Sequence, residues 1–366
     1  MSNRNINTVE YDLSEEYLKE SEPGKKYRKY VWDTAIGLQA VDGLEPSEYL
    51  KETAKRNIDG DISLGEVQNL IDTYYRQTAS NEKSRTEEAD QVSARIATIL
   101  AERAFVFSPA QYLGIHKRLF QGVYKHAGQI RDYNISKEEW VLDGDTVTYG
   151  GAVDLRETLE YDLNRESTFS YKGLNMDETV RHLARFVADL WQIHVFGEGN
   201  TRTTAVFFIK YLRTLGFDVT NDSFAKHSWY FRNAMVRANY NNIQNGVHET
   251  TEFLELFLRN LLMGEKNALQ NRVMHIRWDK ASSSASADPI KSKDDPINDP
   301  IKLSEREQKL MSLIEKHPNL TRKELADQLS CSDSTVKREL KILSDIGLIK
   351  REGARKNGRW IITKTE

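Results

Sequence analysis

Apolar residues recur every three or four positions along most of this chain, a spacing that places them on one face of an α-helix. The segment 176–192 shows this pattern most clearly. Its apolar positions are Val180, Leu183, Phe186, Val187, Leu190 and Trp191. Further helices are predicted at 47–57, 63–76, 87–103, 109–125, 152–163, 201–215, 224–239 and 249–262. The pattern therefore predicts a mainly α-helical fold.

Residues 138–149 break the helical pattern. Two short runs of strand-forming residues, 140–142 and 146–148, flank the turn sequence Asp143-Gly144-Asp145. The segment predicts a β-hairpin, and a plain surface ribbon without a binding role is compatible with the same residues.

Helix ends and a linker divide the chain further. Ser63 followed by Glu66 is a capping box, and Gly60 and Gly216 stand where helices end. Residues 281–300 are rich in Ser, Ala, Asp and Pro and lose apolar periodicity, as flexible linkers do. The predicted domains are an N-terminal helical segment at 1–80, a helical domain at 87–280, the linker at 281–300 and a compact domain at 301–366.

Composition narrows the class of protein. The chain has 366 residues, a formal net charge of −3 and one cysteine, Cys331. A disulfide within the chain is therefore impossible, as fits a reducing compartment. No run of about 18 apolar residues occurs, and residues 1–11 lack the apolar core of a secretory signal. We expect a cytoplasmic protein without a membrane partner.

The segment from His194 to Arg202 combines groups that suit phosphate chemistry. Gly199 and Asn200 precede a predicted helix, and the free N–H groups at such a start attract anions. Arg202 offers donors to phosphate oxygens, and Glu198 can hold Mg2+. His194 can accept a proton from an attacking hydroxyl. Together these residues predict phosphoryl or nucleotidyl transfer.

Residues 194–205, HVFGEGNTRTTA, closely resemble the Fic family motif H-x-F-x-[DE]-G-N-G-R-x-x-R. The resemblance covers about 87–265. Within it, 112–131 looks like the family's helix and AG-x-x-R turn, and 239–246 like its helix junction near the adenine pocket. The fold that this implies is a Fic-type helical core with a small β-hairpin flap.

The resemblance also implies an activity, the transfer of AMP from ATP to a Tyr, Ser or Thr hydroxyl of a protein or of the chain itself, with Mg2+. His194 would be the general base, Glu198 would coordinate Mg2+, and Arg202 would neutralise phosphate charge. The candidate nucleotide-binding residues are Gly197, Glu198, Gly199, Asn200, Thr201, Arg202, Tyr240 and Asn241. The hairpin would be a flap that docks the target by strand addition, through Trp140, Val141 and Leu142.

Two positions depart from the motif. Thr201 replaces its central glycine, and Ala205 replaces its second arginine, which orients ATP phosphates in adenylylating members. The Doc-like branch also lacks that arginine and transfers a phosphate instead. Three functions therefore stay open: a protein adenylyltransferase, a Doc-like phosphotransferase, and a transcriptional regulator whose weak or inactive Fic domain senses nucleotide.

Residues 34–77 resemble the small helical antitoxin domains that accompany Fic toxins. Those domains place an inhibitory [ST]-x-x-x-E-[GN] helix over the ATP site, and its glutamate pairs with the second motif arginine. The matching positions here are Leu38, Asp42 and Gly43. Because Asp42 has a shorter side chain and its partner position is Ala205, we predict a cover without that inhibitory ion pair. Asp42 is the candidate inhibitory residue. Ser84 to Glu88 also has the spacing of the inhibitory motif but lacks the following Gly or Asn. A purely structural role for residues 34–77 is compatible with the same sequence.

Residues 302–366 resemble the winged helix-turn-helix of bacterial regulators. Thr321 and Glu324 form a capping box at the second helix. The predicted core is Leu325, Ala326, Leu329, Val336, Leu340, Leu343 and Leu348. The candidate DNA contacts are Ser332, Ser334, Thr335, Lys337 and Arg338 in the recognition helix and Arg351, Arg355, Lys356 and Arg359 in a basic wing. Double-stranded DNA is the expected partner, a protein partner is the alternative, and a homodimer is compatible with both families.

Overall fold

The structure, a computed structural model, describes residues 24–77, 85–277, 305–318, 320–329, 331–345, 349–352 and 359–362. The chain divides into two compact units, Met1–Asp299 and Pro300–Glu366. The predicted linker at 281–300 lies outside the described residues. Among the described residues, no helix has the length and apolar character that crossing a bilayer requires.

Helices form nearly all of the regular structure in the described part of the first unit, which confirms the predicted mainly α-helical class. They are α1 Lys25–Gly37, α2 Glu48–Asp59, α3 Leu64–Gln77, α4 Arg85–Ala101, α5 Pro109–Phe120, α6 Leu155–Ser167, α7 Met176–Ile193, α8 Asn200–Thr214, α9 Ser223–Ala238 and α10 Glu252–Met263. Short 3-10 turns occupy Leu38–Asp42, Trp140–Leu142, Ile243–Asn245 and Asn271–Met274. The helix predicted at 109–125 stops at Phe120, because Gln121 leaves the helical region and Gly122 has a φ of 78°.

Side chains at the helix ends match the sequence signals. The Ser47 hydroxyl accepts a hydrogen bond from the Leu50 N–H at the start of α2, and Gly60 ends that helix with a φ of 91°. The Ser63–Glu66 capping box forms in both directions, with Ser63 N–H donating to Glu66 Oε2 at 2.7 Å. These contacts satisfy backbone groups that a helix end leaves without partners.

One continuous hydrophobic core joins the N-terminal helices to the rest of the first unit. It extends in sequence from Tyr30 to Met274. The helix α1 packs against α4 and α9, and the backbone of Gly37 lies so close to Ala225 that an added Cβ would be 2.3 Å from its carbonyl oxygen. The Ser228 hydroxyl donates to the Gly37 carbonyl at 2.6 Å. This packing fixes the turn Leu38–Asp42 against α8, the helix that follows the motif.

Within residues 138–149, Trp140–Leu142 form a 3-10 turn, and no strand occurs in place of the predicted hairpin. Val141 and Leu142 are adjacent and both buried, whereas neighbouring residues of a strand point to opposite faces. The Val141 carbonyl accepts the Ile276 N–H, and the Leu142 and Asp143 N–H groups bond within the turn. Trp140 packs against the ring of His275. The three residues predicted to dock a target therefore present no free strand edge, since the protein itself uses their backbone groups.

The second unit has the predicted order of elements. Its described part contains α11 Glu305–Lys316, α12 Arg322–Gln328 and α13 Asp333–Asp345, followed by the antiparallel strands β1 Ile349–Glu352 and β2 Arg359–Ile362. Thr321 and Glu324 form the capping box of α12. The buried core consists of Leu310, Ile314, Leu325, Ala326, Val336, Leu340, Leu343 and Ile349, with Leu329 partly buried beside it. Leu348 lies outside the described residues.

Candidate functional site

The loop between α7 and α8 is held in one conformation by its own residues. His194 ends α7 with a φ of 50°, and Gly199 opens α8 with a φ of 74°. An added Cβ at Gly199 would lie 2.4 Å from the Phe120 ring, so only glycine fits there. The Asn200 side chain accepts the Phe196 N–H at 2.9 Å and donates to the Phe196 carbonyl at 2.8 Å. The Asn200 amide is therefore used to close the loop, and its backbone is what remains for a ligand.

The start of α8 has the backbone geometry that anions prefer. Gly199 accepts the Thr203 N–H at 3.1 Å, so the N–H groups of residues 200–202 precede the first intrahelical bond. Glu198 lies beside this start with an exposed side chain. No hydrogen bond or ion pair within the described residues engages its carboxylate, and no cluster of three metal-ligating side chains occurs there. A single exposed carboxylate next to an anion site fits Mg2+, which keeps several waters and takes phosphate oxygens.

His116, on α5, contacts the loop at Glu198 and Phe196. This role was not identified from the sequence. His116 Nδ1 accepts the Gly128 N–H at 2.8 Å, so the ring proton is on Nε2, which donates to the Glu198 carbonyl at 3.0 Å. The imidazole ring stacks on the Phe196 ring, with the two ring centroids 3.6 Å apart. Burial lowers the pKa of His116 to about 4, which keeps the ring neutral. The signal that could have found it was its place four residues before Phe120, in the helical part of the segment 112–131.

His194 is buried beside the loop, with 8 % of its surface exposed. Its Nδ1 donates to the Trp191 carbonyl at 3.1 Å, which leaves the lone pair on Nε2. Burial lowers the pKa of the ring to about 3, so it is neutral at pH 7. Arg131, also missed although it ends the AG-x-x-R turn, donates to the His194 carbonyl at 2.7 Å and to the Gly150 carbonyl at 2.5 Å. The site thus holds a neutral, oriented imidazole.

Arg202 is held by the N-terminal part of the chain. The prediction concerned a pair between Asp42 and position 205, which is alanine, and Asp42 pairs with Arg202 instead. Arg202 Nε lies 2.9 Å from Asp42 Oδ2, and Nη2 lies 2.7 Å from Glu88 Oε1. Gln39 Oε1 accepts Nη1 at 3.0 Å, and the Phe120 ring covers the guanidinium. Burial disfavours the charged form of Asp42, but Arg202 outweighs it and the pKa of Asp42 is lowered. The guanidinium, 1 % exposed, therefore already has two carboxylate partners.

Family comparison agrees with this geometry. The Fic/DOC family model matches residues 106–212, which contain the whole loop, α7 and all but the last two residues of α8. Residues 106–212 are a Fic/DOC-family domain. A helix-turn-helix domain model matches residues 306–358, in the second unit. The comparison with curated proteins finds no match.

Two solved Fic structures resemble the Fic-domain chain weakly. A Fic family protein from Desulfovibrio desulfuricans G20 is 14% identical over 93% of this chain and 88% of its own, with a TM-score of 0.40. The N-terminal Fic domain of Bep8, a VirB-translocated Bartonella effector protein from Bartonella sp. 1-1C, is 20% identical over 50% of this chain and 88% of its own, with a TM-score of 0.39. Neither similarity bears on the activity of this chain.

The two positions that depart from the Fic motif are both buried. Thr201 Oγ1 accepts the indole N–H of Trp191 at 3.0 Å, a bond that a glycine could not accept. Ala205 is fully buried in the core. Of the two arginine positions in the motif, only position 202 therefore holds an arginine, and Asp42 pairs with it. Positions 202 and 205 are one helical turn apart on the same face.

Of Tyr240 and Asn241, the residues predicted near an adenine pocket, Tyr240 makes its described contacts away from the motif loop. The Tyr240 hydroxyl donates to Asp145 Oδ2 at 2.6 Å and accepts from Asn242 at 3.1 Å. Asn241 is exposed. In the described part of the chain, no hydrogen bond joins either side chain to the motif loop, while Gly197 approaches the Tyr133 hydroxyl closely. Their nucleotide contacts stay a prediction.

The helix-turn-helix unit exposes most of its predicted DNA contacts. Ser332, Ser334, Lys337 and Arg338 are exposed at the start of α13, and Thr335 is half-buried. The Ser332 hydroxyl accepts the Thr335 N–H, so it caps the helix. In the wing, Arg351 covers Trp360, and Arg359 pairs with Glu352 at 2.8 Å. Arg355 and Lys356 lie outside the described residues.

Acid is expected to destabilise the protein through His194. Because burial lowers its folded pKa to about 3, the unfolded chain, with a pKa of about 6.5, binds the proton first as pH falls. The stability that His194 contributes is complete above pH 6.5 and decreases towards pH 3. Between pH 7 and pH 5 the loss is about 2 kcal/mol. Urea unfolding at both pH values, compared with His194→Asn, measures it, and equal pH dependence in the two proteins would contradict the assignment.

Proposed function

We propose that the Fic domain transfers AMP from MgATP to a Tyr, Ser or Thr hydroxyl of a protein, with self-modification included. The observation that carries the proposal is a neutral imidazole, with its lone pair on Nε2, next to the anion site at the start of α8. A general base needs a free lone pair, whereas a nucleotide sensor has no need of one. The geometry therefore favours an enzyme over a purely sensing domain.

The proposed step assigns one role to each group. The acceptor hydroxyl gives its proton to His194 Nε2 while its oxygen bonds to the α-phosphorus of ATP. The bond from that phosphorus to the bridging oxygen breaks, and pyrophosphate leaves. The N–H groups at the start of α8 bind phosphate oxygens, and Glu198 would hold Mg2+, which supplies charge neutralisation when bound. Arg202 would neutralise further charge once it leaves its carboxylate partners.

Doc-like phosphotransfer is the second candidate, and Ala205 favours it. A buried alanine there leaves the domain without the arginine that orients ATP in adenylylating relatives. In that case the hydroxyl would attack the γ-phosphorus and ADP would leave.

Labelled ATP separates these reactions. The full chain, with Mg2+ and ATP labelled on either the α or the γ phosphate, is compared with His194→Ala by intact mass and by label transfer. Gain of one AMP mass with the α label, lost in the variant, supports adenylylation. Gain of one phosphate with the γ label moves the function to phosphotransfer. No gain, together with unchanged label on bacterial lysate proteins, would contradict both.

The helix-turn-helix unit indicates DNA as a partner, and we propose that it binds double-stranded DNA through α13 and the wing. The start of α13 presents hydroxyls and the cations Lys337 and Arg338, which suit base edges and phosphates. DNA binding would localise the transferase or control its own expression from a cytoplasmic location. A homodimer would suit a palindromic operator.

A further inference from the structure

Two aromatic rings confine the His194 imidazole. The Tyr149 ring lies with its centroid 4.2 Å from that of His194, at an angle of 40°. The Trp191 ring lies edge-on at 4.9 Å. Tyr149 and Trp191 also contact each other at 5.8 Å, so the three rings form one cluster. The transfer step described above uses neither Tyr149 nor Trp191.

Each of the two rings also makes a hydrogen bond to a residue other than His194. The Tyr149 hydroxyl donates to Glu139 Oε1 at 3.1 Å, and Arg232 Nη2 lies 2.6 Å from Glu139 Oε2. Glu139 and Arg232 are 1 % and 4 % exposed, so this ion pair is a fixed point inside the core. A buried pair of this kind moves little, because either charge without the other is costly.

Trp191 is anchored by Thr201, one of the two residues that depart from the motif. Its indole N–H donates to Thr201 Oγ1 at 3.0 Å, and both residues are buried. The Trp191 carbonyl is also the acceptor of the His194 Nδ1 proton. Thr201 therefore holds the residue that both borders the imidazole and sets its tautomer.

We propose that Tyr149 and Thr201 are positioning residues of the transfer reaction, which hold His194 with Nδ1 towards the Trp191 carbonyl and the Nε2 lone pair towards the acceptor hydroxyl. The inference rests on the proposed function and deepens it. A half-turn of the imidazole about its Cβ–Cγ bond puts carbon atoms where Nδ1 and Nε2 stood, so the Nδ1 bond to the Trp191 carbonyl is lost and the Nε2 lone pair no longer faces the acceptor hydroxyl. A misplacement of 1 Å at a reacting centre costs up to about a hundredfold in rate. Two anchored rings prevent that rotation.

Conservative variants of the full chain remove the anchoring hydrogen bonds of Tyr149 and Thr201 without creating a cavity in the core. Tyr149→Phe keeps the ring and removes its bond to Glu139, and Thr201→Val keeps the shape and removes the acceptor of the indole. Thr201→Ser keeps the acceptor of the indole N–H and should keep the single His194 tautomer. Tyr171→Phe is the matched control, since the Tyr171 hydroxyl likewise donates to a buried glutamate, Glu166, at 2.5 Å, in a cluster that does not contact His194.

The imidazole spectrum is the first readout. In nitrogen-15 NMR of histidine-labelled protein, with the His194 signals assigned from His194→Asn, we expect a single tautomer protonated on Nδ1. Tyr149→Phe and Thr201→Val should each show a mixture of the two tautomers, while Thr201→Ser and Tyr171→Phe should not. An unchanged single tautomer in both test variants overturns the proposal, whether or not transfer is ever detected.

Transfer kinetics are the second readout. In both test variants kcat should decrease about tenfold with the KM for MgATP unchanged, because both substitutions change a side chain that acts on the base and keep the backbone N–H groups at the start of α8. Altered tautomers with unchanged kcat would overturn the positioning role. Absence of transfer in the wild type would instead contradict the proposed function, and the spectrum would still decide whether the rings hold the imidazole.

Discussion

Neutralising the two carboxylates that hold Arg202, in the variant Asp42→Asn/Glu88→Gln, is expected to tighten MgATP binding about a hundredfold. Both carboxylates contact the guanidinium directly, at 2.9 and 2.7 Å. Phosphate oxygens can use the same donors only after these bonds break. Charge-assisted bonds are each worth about 1.5–3 kcal/mol, and a net release of about 3 kcal/mol corresponds to a factor of about one hundred. Titration calorimetry on the full chain measures the dissociation constant.

Two further measurements make this prediction specific. Asp33→Asn is the control, because Asp33 lies in the same N-terminal segment and pairs with Lys29 at 2.5 Å on the surface, away from Arg202. It should leave MgATP binding unchanged. Without nucleotide the double variant should unfold at a lower temperature, since Arg202 is left buried without a counter-ion, and MgATP should restore the difference. Equal dissociation constants in wild type and double variant would show that the phosphates do not compete for Arg202.

Replacing Glu139 with alanine is expected to destabilise the protein by about 3–5 kcal/mol. The substitution leaves Arg232, 4 % exposed, without the carboxylate that lies 2.6 Å from it. It also removes the acceptor of the Tyr149 hydroxyl. An uncompensated charge in the core is costly because little water reaches it. Urea unfolding followed by circular dichroism measures the free energy of unfolding.

Paired substitutions separate the buried charge from general damage to the core. Glu139→Leu/Arg232→Met should recover most of the lost stability, because no charge is then left alone in the core. Glu102→Ala is the matched surface control, since Glu102 pairs with Arg118 at 2.5 Å with both side chains about half exposed. Its cost should stay below about 1 kcal/mol. A loss of similar size at both sites would contradict the special cost of the buried pair.

The helices were predictable because their signals are local. Spacing of apolar residues, capping boxes and glycines act over a few positions, so the bounds of α7 and the capping box at Ser63 and Glu66 follow from neighbouring residues. The turn at 138–149 was predicted wrongly as a strand pair, although its Asp-Gly turn is local too. Burial of the adjacent residues Val141 and Leu142 favoured a 3-10 turn, and burial depends on the helices packed around them.

The motif loop was also predictable as a set of residues. Its anion site follows from a glycine and an asparagine before a helix, and the candidates His194, Glu198 and Arg202 were all named from sequence. The sequence did not predict which groups these residues pair with. Comparison with the motif assigned Asp42 to Ala205 and so predicted no ion pair with that position. The fold brings Asp42 to Arg202, one turn earlier on the same face of α8.

By itself the sequence determined the helical class, the motif loop and the order of elements in the helix-turn-helix unit, because each depends on interactions between near neighbours. Only the tertiary structure decided which groups face one another at the site. Gln39 meets Arg202 across 163 positions, and Glu139 meets Arg232 across 93. Such contacts arise when whole helices pack around one core, and no spacing of residues along the chain specifies them.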